Sequence, residues 1–250
     1  MENPTLLDLF SGIGGFSLAF EREGFRTIGF SEIDTFACQV IKKHWPEIPN
    51  FGDITKWREW PDLSPYVITG GFPCQPFSSA GKRRGKGDNR YLWPAMLAVI
   101  ARYRPAWVIG ENVANIVDME LDNCMSDLED IGYEVQSFVI PACAVGLEHR
   151  RNRVWIVAHL NKMGLKRQPP TDKTRFQSAY GGGIQPNRVA PPTRPPRRAT
   201  GILESTNCGI IHGLPSKLDV SRIAALGNSI VPQIAQAIAR GIMSVERDNY

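Results

Sequence analysis

Apolar positions along the first 158 residues fall into two alternating patterns. Short apolar runs bounded by turn residues predict strands at 5–10, 27–31, 66–69, 107–110, 135–140 and 154–159. Helical spacing between them predicts helices at 16–23, 35–44, 92–103 and 124–131. Regular alternation of this kind predicts an α/β architecture, a doubly wound and mostly parallel sheet with helices on both faces.

The pattern breaks after residue 159. Segment 160–205 holds seven prolines and five glycines, including Gly181-Gly182-Gly183, and carries neither period. It predicts a short irregular insert. Order returns with Ile230, Ile234, Ile238 and Ile242, spaced by four, with Ala235 and Ala237 beside them. That stripe predicts an amphipathic helix which must bury its apolar face on the first domain. The expected organisation is a catalytic body at 1–159, a basic insert at 160–205 and a returning segment at 206–250.

Charge sharpens this division. The net charge is only +4. Segment 160–205 has nine basic residues against two acidic ones, an excess of +7 that leaves the rest of the chain at −3. A basic lobe on a mildly acidic body suits a polyanion, although a solvated basic linker has the same composition. The five cysteines are odd in number and form no CxxC pair, which argues against a disulfide framework or a cysteine-rich zinc site. No apolar run approaches the roughly 18–20 residues that span a bilayer. The opening Met1-Glu2-Asn3-Pro4 does not resemble a signal peptide. The expectation is a cytoplasmic protein with no metal and no membrane partner, and a monomer because no second apolar helix stripe is left over.

Two places carry candidate chemistry. Cys74 follows Gly71-Phe72-Pro73 on a loop after the strand predicted at 66–69. Pro73 stiffens the turn and the glycines admit close approach of another molecule. A nucleophilic thiol and a buried small hydrophobe both fit this setting. The second place is the glycine turn Ser11-Gly12-Ile13-Gly14-Gly15, which follows the first strand, with Glu32 twenty residues beyond Gly12 at the end of the second. Such a turn and acid suit a nucleoside whose ribose hydroxyls meet the carboxylate. Asp53 ends another segment and suits an adenine amino group, although either acid alone could cap a helix. The Gly-x-Gly-Gly spacing departs from the dinucleotide pattern. With no clustered phosphate-binding lysine, S-adenosylmethionine meets the description best.

These residues together resemble the DNA (cytosine-5)-methyltransferases. Asp8-Leu9-Phe10-Ser11-Gly12 is similar to that family's cofactor loop, and Gly71-Phe72-Pro73-Cys74-Gln75-Pro76-Phe77-Ser78 to its catalytic motif. Glu111-Asn112-Val113, His149-Arg150-Arg151-Asn152-Arg153 and Gly227-Asn228-Ser229-Ile230-Val231-Pro232-Gln233 resemble its later motifs, in order. Histidine stands where the fourth motif usually has glutamine, and the recognition lobe is short. The compact size and the Gly213-Leu214-Pro215 lead-in resemble phage or prophage members.

The resemblance implies a Rossmann-like S-adenosylmethionine-dependent methyltransferase fold with a small irregular target-recognition lobe. It implies methylation of cytosine carbon 5 within a short sequence of double-stranded DNA, as in restriction–modification. Cys74, Glu111, Arg151 and Arg153 would be catalytic. Phe10, Ser11, Gly12, Gly14, Gly15, Glu32, Ile33, Asp53, Ile54, Phe72, Pro73, Leu92, Asn228 and Ser229 would line the cofactor. Gln75, Ser78, Lys82, Arg83, Arg84, Lys86 and Arg90 would meet DNA. The alternatives are a tRNA-directed member of the same family and a catalytically silent cofactor-binding regulator. A nicotinamide dehydrogenase is disfavoured by the glycine spacing.

Overall fold

The computed structural model describes residues 3–73, 91–117, 120–147, 151–160 and 225–248. All belong to one compact unit, built from Met1–Gly164 and Val220–Tyr250. The predicted insert at 160–205 lies outside the described residues save for Leu160.

Six strands form one sheet: β1 (Thr5–Leu9), β2 (Arg26–Ser31), β3 (Val67–Gly70), β4 (Trp107–Val113), β5 (Tyr133–Pro141) and β6 (Asn152–Leu160), in spatial order β2-β1-β3-β4-β6-β5. Among the described residues the longer helices beside it are α1 (Gly15–Glu21), α2 (Thr35–His44), α3 (Trp93–Tyr103), α4 (Leu121–Asp130) and α5 (Pro232–Asp248). This is the Rossmann-like α/β fold expected from the alternation. The pairings β1–β2, β1–β3 and β3–β4 are parallel.

Several expectations need correction. β6 runs antiparallel to both β4 and β5, because the short link after β5 allows only a hairpin-like return. β4 continues to Val113, so Glu111 and Asn112 stand inside the ladder, opposite Trp155 and Val154, rather than beyond it. A short 3-10 helix at Ile54–Glu59, capped by Asp53, was not foreseen. In α5 the buried positions are Ile234, Ala235, Ala239 and Ile242, whereas Ala237 is exposed. Ile230 precedes the helix.

Local sequence explains the helix limits. Asp34 caps α2 by accepting from the Ala37 amide at 2.8 Å, and Lys42, Lys43 and His44 fill its last turn, where positive charge is favoured. Arg104 closes α3 in the left-handed region and Pro105 prevents its continuation. Strand alternation then builds two cores. Leu7, Leu9, Ile68, Val108 and Ile156 face α3 and α4, while Leu6, Val67, Ile109 and Trp155 face α1 and α5. Fully burying each large side chain contributes roughly 1.5–3 kcal/mol.

A carboxyl and two hydroxyls, from Asp8, Ser17 and Thr69, sit inside the second core. Asp8 is fully buried on the α1 side of β1. Its carboxylate accepts from Thr69 Oγ1 at 2.9 Å, Ser17 Oγ at 2.9 Å and Ser17 N at 3.3 Å. It thereby caps α1 from a neighbouring strand, since Gly14 at the N-cap has no side chain to do so. Burial lifts the Asp8 carboxyl from the ordinary 3.8 to about 7, reinforced by the charge of Glu32 and opposed by the three hydrogen bonds.

Two predictions follow from this packing. Ile234→Ala should destabilise the chain by about 2–5 kcal/mol in urea unfolding, and a loss near zero would contradict the burial of α5. The raised pKa means that Asp8's stabilising contribution is complete below pH about 4 and is lost as pH rises through about 7. Asp8→Asn should therefore gain stability over the unaltered chain between pH 5 and pH 8, and a difference flat across that range would contradict it.

Candidate active site

The strand order reverses on either side of β1, with β2 on one flank and β3 on the other. In open α/β sheets such a reversal leaves a crevice beyond the carboxyl ends of the strands. The glycine turn leaves β1 at this edge, and the segment leading to Cys74 leaves β3 beside it. Register aligns Leu9 with Gly70 and Gly70 with Gly110, so β1 and β3 end level with the residue of β4 just before Glu111.

Glu111 projects from this edge on the face shared with Ile109 and Trp155. A side-chain carbon placed on Gly71 would lie 3.5 Å from Glu111 Oε2, so the carboxylate lies over the backbone three residues before Cys74. Asn112 Nδ2 donates to the Phe72 carbonyl at 2.9 Å, tying β4 to the same segment. Glu111 is buried, and burial pushes its carboxyl up to about 7 against the pull of Arg153 and Arg151.

The two arginines divide their work. Arg153 Nε lies 2.9 Å from Glu111 Oε1, an ion pair without a well-directed hydrogen bond. Arg151 Nη2 donates to the carbonyls of Gly227 and Ser229, the latter at 2.8 Å. It thus anchors the loop before α5. Burial and Arg153 lower the Arg151 pKa, with Glu111 opposing. Glu111 Oε1 and Arg151 Nε are buried and make no hydrogen bond among the described residues. Buried polar atoms left in this way are the ones a bound polar ligand satisfies.

The glycine turn is built differently from expectation. At Gly12, with φ +53°, the space where a side chain would stand is open. At Gly14 it is filled by the ring of Trp45, 2.5 Å away, and at Gly15 by Ile230 and Ser229, at 2.8 and 3.2 Å. Gly12 therefore offers the open face to a ligand, whereas Gly14 and Gly15 are required by packing within the protein. Gly12 N donates to Glu32 Oε2 at 2.7 Å, while Ile33 N and Asp34 N donate to Oε1. One side of Glu32 Oε2 is left to accept a hydroxyl. Ile33 beside it is 70 % exposed, the most open of the large apolar side chains among the described residues, and could pack against a flat apolar ligand face. A shallow depression of about 580 Å³ adjoins this corner, lined by Ile33, Thr35, Cys38, Gln39, Lys42 and Lys43.

The remaining expected residues vary in placement. Phe10 adopts a positive φ of 51° as the chain leaves β1. The Ser11 hydroxyl is committed to the Asp8 carbonyl at 2.5 Å. Asp53 Oδ1 accepts from Thr55 N and Oγ1. The side chains of Ile54 and Phe72 belong to the core, Phe72 against Trp93 with centroids 5.0 Å apart. Pro73 is half-buried, and Leu92 leads into α3. Asn228 is exposed and Ser229 faces Gly15. Cys74, Gln75, Ser78, Lys82, Arg83, Arg84, Lys86 and Arg90 lie outside the described residues. Asp8, Asn112 and Trp45 were not foreseen. Asp8 stood inside the quoted cofactor loop, where a carboxylate in an otherwise apolar strand was the available signal. Among the described residues no cluster of ligating side chains could hold a metal ion, and no helix is long and apolar enough to cross a membrane.

The C-5 cytosine-specific DNA methylase family profile matches residues 5–192. Type II methyltransferase M.HgiCII of Herpetosiphon aurantiacus is 34 % identical over 173 residues, covering 66 % of this chain and 39 % of that protein. Type II methyltransferase M.HaeII of Haemophilus aegyptius is 33 % identical over 184 residues, covering 69 % and 56 %. The chain thus spans about two fifths of the length of the first of these curated relatives. Among solved structures, the S. pombe Dnmt2 methyltransferase shares the fold at a TM-score of 0.55 and 21 % identity, over 65 % of this chain and 53 % of that one. An E. coli prophage-encoded protein described as a putative DNA modification methyltransferase does so at 0.53 and 23 %, over 63 % and 47 %. The chain belongs to the C-5 cytosine-specific DNA methylase family.

Proposed function

We propose that the chain transfers a methyl group from S-adenosylmethionine to carbon 5 of cytosine in double-stranded DNA, through a covalent bond between Cys74 and carbon 6. The observation that carries this reading is the buried carboxyl of Glu111, held over Gly71 and paired with Arg153 at the strand edge from which the Cys74 segment departs.

The chemistry needs two groups acting together. Cytosine carbon 5 is a weak nucleophile. The Cys74 thiolate adds its electron pair to carbon 6, and the displaced ring electrons move toward nitrogen 3. Glu111, in its acid form, donates a proton there, so that no full negative charge develops on the ring. A carboxyl lifted to about 7 is poised for that donation near neutral pH. Arg153 holds the carboxyl in place and balances its charge once the proton has left. Carbon 5 then becomes enamine-like. The cofactor, when bound, supplies a methyl group on a sulfonium. Removal of the carbon 5 proton expels the Cys74 thiolate, nitrogen 3 returns its proton to Glu111, and the aromatic ring is restored. A free thiol with pKa near 8.5 is only about 3 % thiolate at pH 7, so the Cys74 environment must favour ionisation.

The cofactor assignment rests on the open face of Gly12, the remaining acceptor position of Glu32 and the bare side chain of Ile33. A base in a duplex must leave the stack to reach such a crevice, at a cost of a few kcal/mol. Lys82, Arg83, Arg84, Lys86 and Arg90 follow Cys74 closely in sequence, and phosphate contacts from them would offset that cost. The insert at 160–205, with its excess of basic charge, is proposed as the target-reading element.

Transfer of labelled methyl groups to duplex DNA and to tRNA tests this reading. Transfer to cytosine in DNA is expected, and transfer confined to tRNA, or none to either, would overturn it. Cys74→Ala should abolish transfer. Glu111→Gln should lower kcat by about 10²–10⁴-fold. The unaltered enzyme needs Glu111 protonated, so a limb of falling kcat should appear as pH rises through about 7 and should vanish in Glu111→Gln. A variant that kept the parental kcat and pH profile would remove Glu111 from the chemistry.

A further inference from the structure

Trp45 lies at the far end of α2 from Glu32, yet it touches the glycine turn. Its indole ring covers Gly14 so closely that a side-chain carbon there would stand 2.5 Å from the ring. Its Nε1 donates to both carboxylate oxygens of Glu21, at 3.0 Å each. Gly14 is the N-cap of α1 and Glu21 its last residue, so a single side chain holds both ends of that helix. Thr27 Oγ1 fixes the Glu21 carboxylate from β2 at 2.6 Å, and the Phe30 ring supports the indole with centroids 5.4 Å apart.

The other end of α2 carries the acid of the candidate cofactor site. Asp34 caps the helix two residues after Glu32, and the ten residues to His44 form a bar about 15 Å long. Movement of Trp45 therefore shifts the Gly12–Gly15 turn relative to Glu32 and Ile33. Among the described residues two direct ties span that gap at the ligand end, from Gly12 N to Glu32 Oε2 at 2.7 Å and from Ser11 N to the Ser31 carbonyl at 3.3 Å. We infer that Trp45 is a positioning residue for the cofactor: it braces the glycine turn against α2 and so sets the separation between the turn and Glu32. This rests on the cofactor reading above. Trp45 itself takes no part in the chemistry, and it accounts for the requirement for glycine at position 14.

Titration calorimetry of the full chain with S-adenosylhomocysteine tests the inference. Trp45→Phe keeps an aromatic ring but loses the Nε1 bond to Glu21, and should weaken binding by about tenfold, because the glycine turn is no longer held at its distance from Glu32. The KM for S-adenosylmethionine should rise by a similar factor, with kcat at saturating cofactor and Tm little changed. Gly14→Ala should weaken binding severely in the unaltered chain and less in a Trp45→Ala background, because the clashing ring is gone while the cost of the +82° φ at Gly14 remains. Unchanged affinity in Trp45→Phe, a parallel fall of kcat and Tm, or additive Gly14 and Trp45 effects would each overturn the brace. Absence of binding by the unaltered chain would overturn the cofactor reading itself, and the inference with it.

Discussion

Parallel pairing of β1, β3 and β4 in one register is the constraint on which the site depends. It brings the carboxyl ends of β1 and β3 level with Gly110 of β4, just before Glu111, at the point where the strand order turns back. Each strand then delivers one kind of group: a glycine turn, the segment leading to a thiol, and a carboxyl. A one-residue slip of β4 would turn Glu111 to the opposite face of the sheet and separate it from Arg153. The register is protected by the two cores, since the same slip would exchange Val108 and Ile109 between them.

Around this edge the protein maintains polar groups under strain of desolvation. Asp8 and Glu111 are both buried carboxyls raised to about 7 by their surroundings. Their partners differ, and so do their tasks. Asp8 meets neutral donors and organises backbone, joining the first turn of α1 to β3. Glu111 meets a guanidinium and retains an oxygen without a directed hydrogen bond. The first is a joint within the fold and the second is available to a substrate. Arg151 extends the arrangement to the chain's far end by holding the carbonyls of Gly227 and Ser229, and the side chains of Ser229 and Ile230 in turn pack at Gly15.

Much of this was readable from the sequence because the signals were local. Short apolar runs marked all six strands, and helical spacing marked α2 over 35–44. The antiparallel placement of β5 and β6 was hidden because a buried apolar strand reads the same in either direction. The glycine turn illustrates a subtler limit. Gly12, Gly14 and Gly15 look equivalent in sequence, yet one faces open space and two are filled by Trp45 and Ile230 from distant parts of the chain. Such tertiary contacts leave no mark at the glycine itself. Asp8 was likewise concealed, because a carboxylate in an apolar strand announces burial without naming its partners.

The most direct measurement is a cross-linking experiment on the unaltered chain. Duplex DNA carrying 5-fluorocytosine blocks the final elimination, because fluorine replaces the proton that must leave. Incubation with S-adenosylmethionine followed by peptide mapping should place a covalent pyrimidine adduct on the peptide that contains Cys74. An adduct on a peptide holding another cysteine, or methyl transfer to cytosine without any adduct, would contradict the central claim.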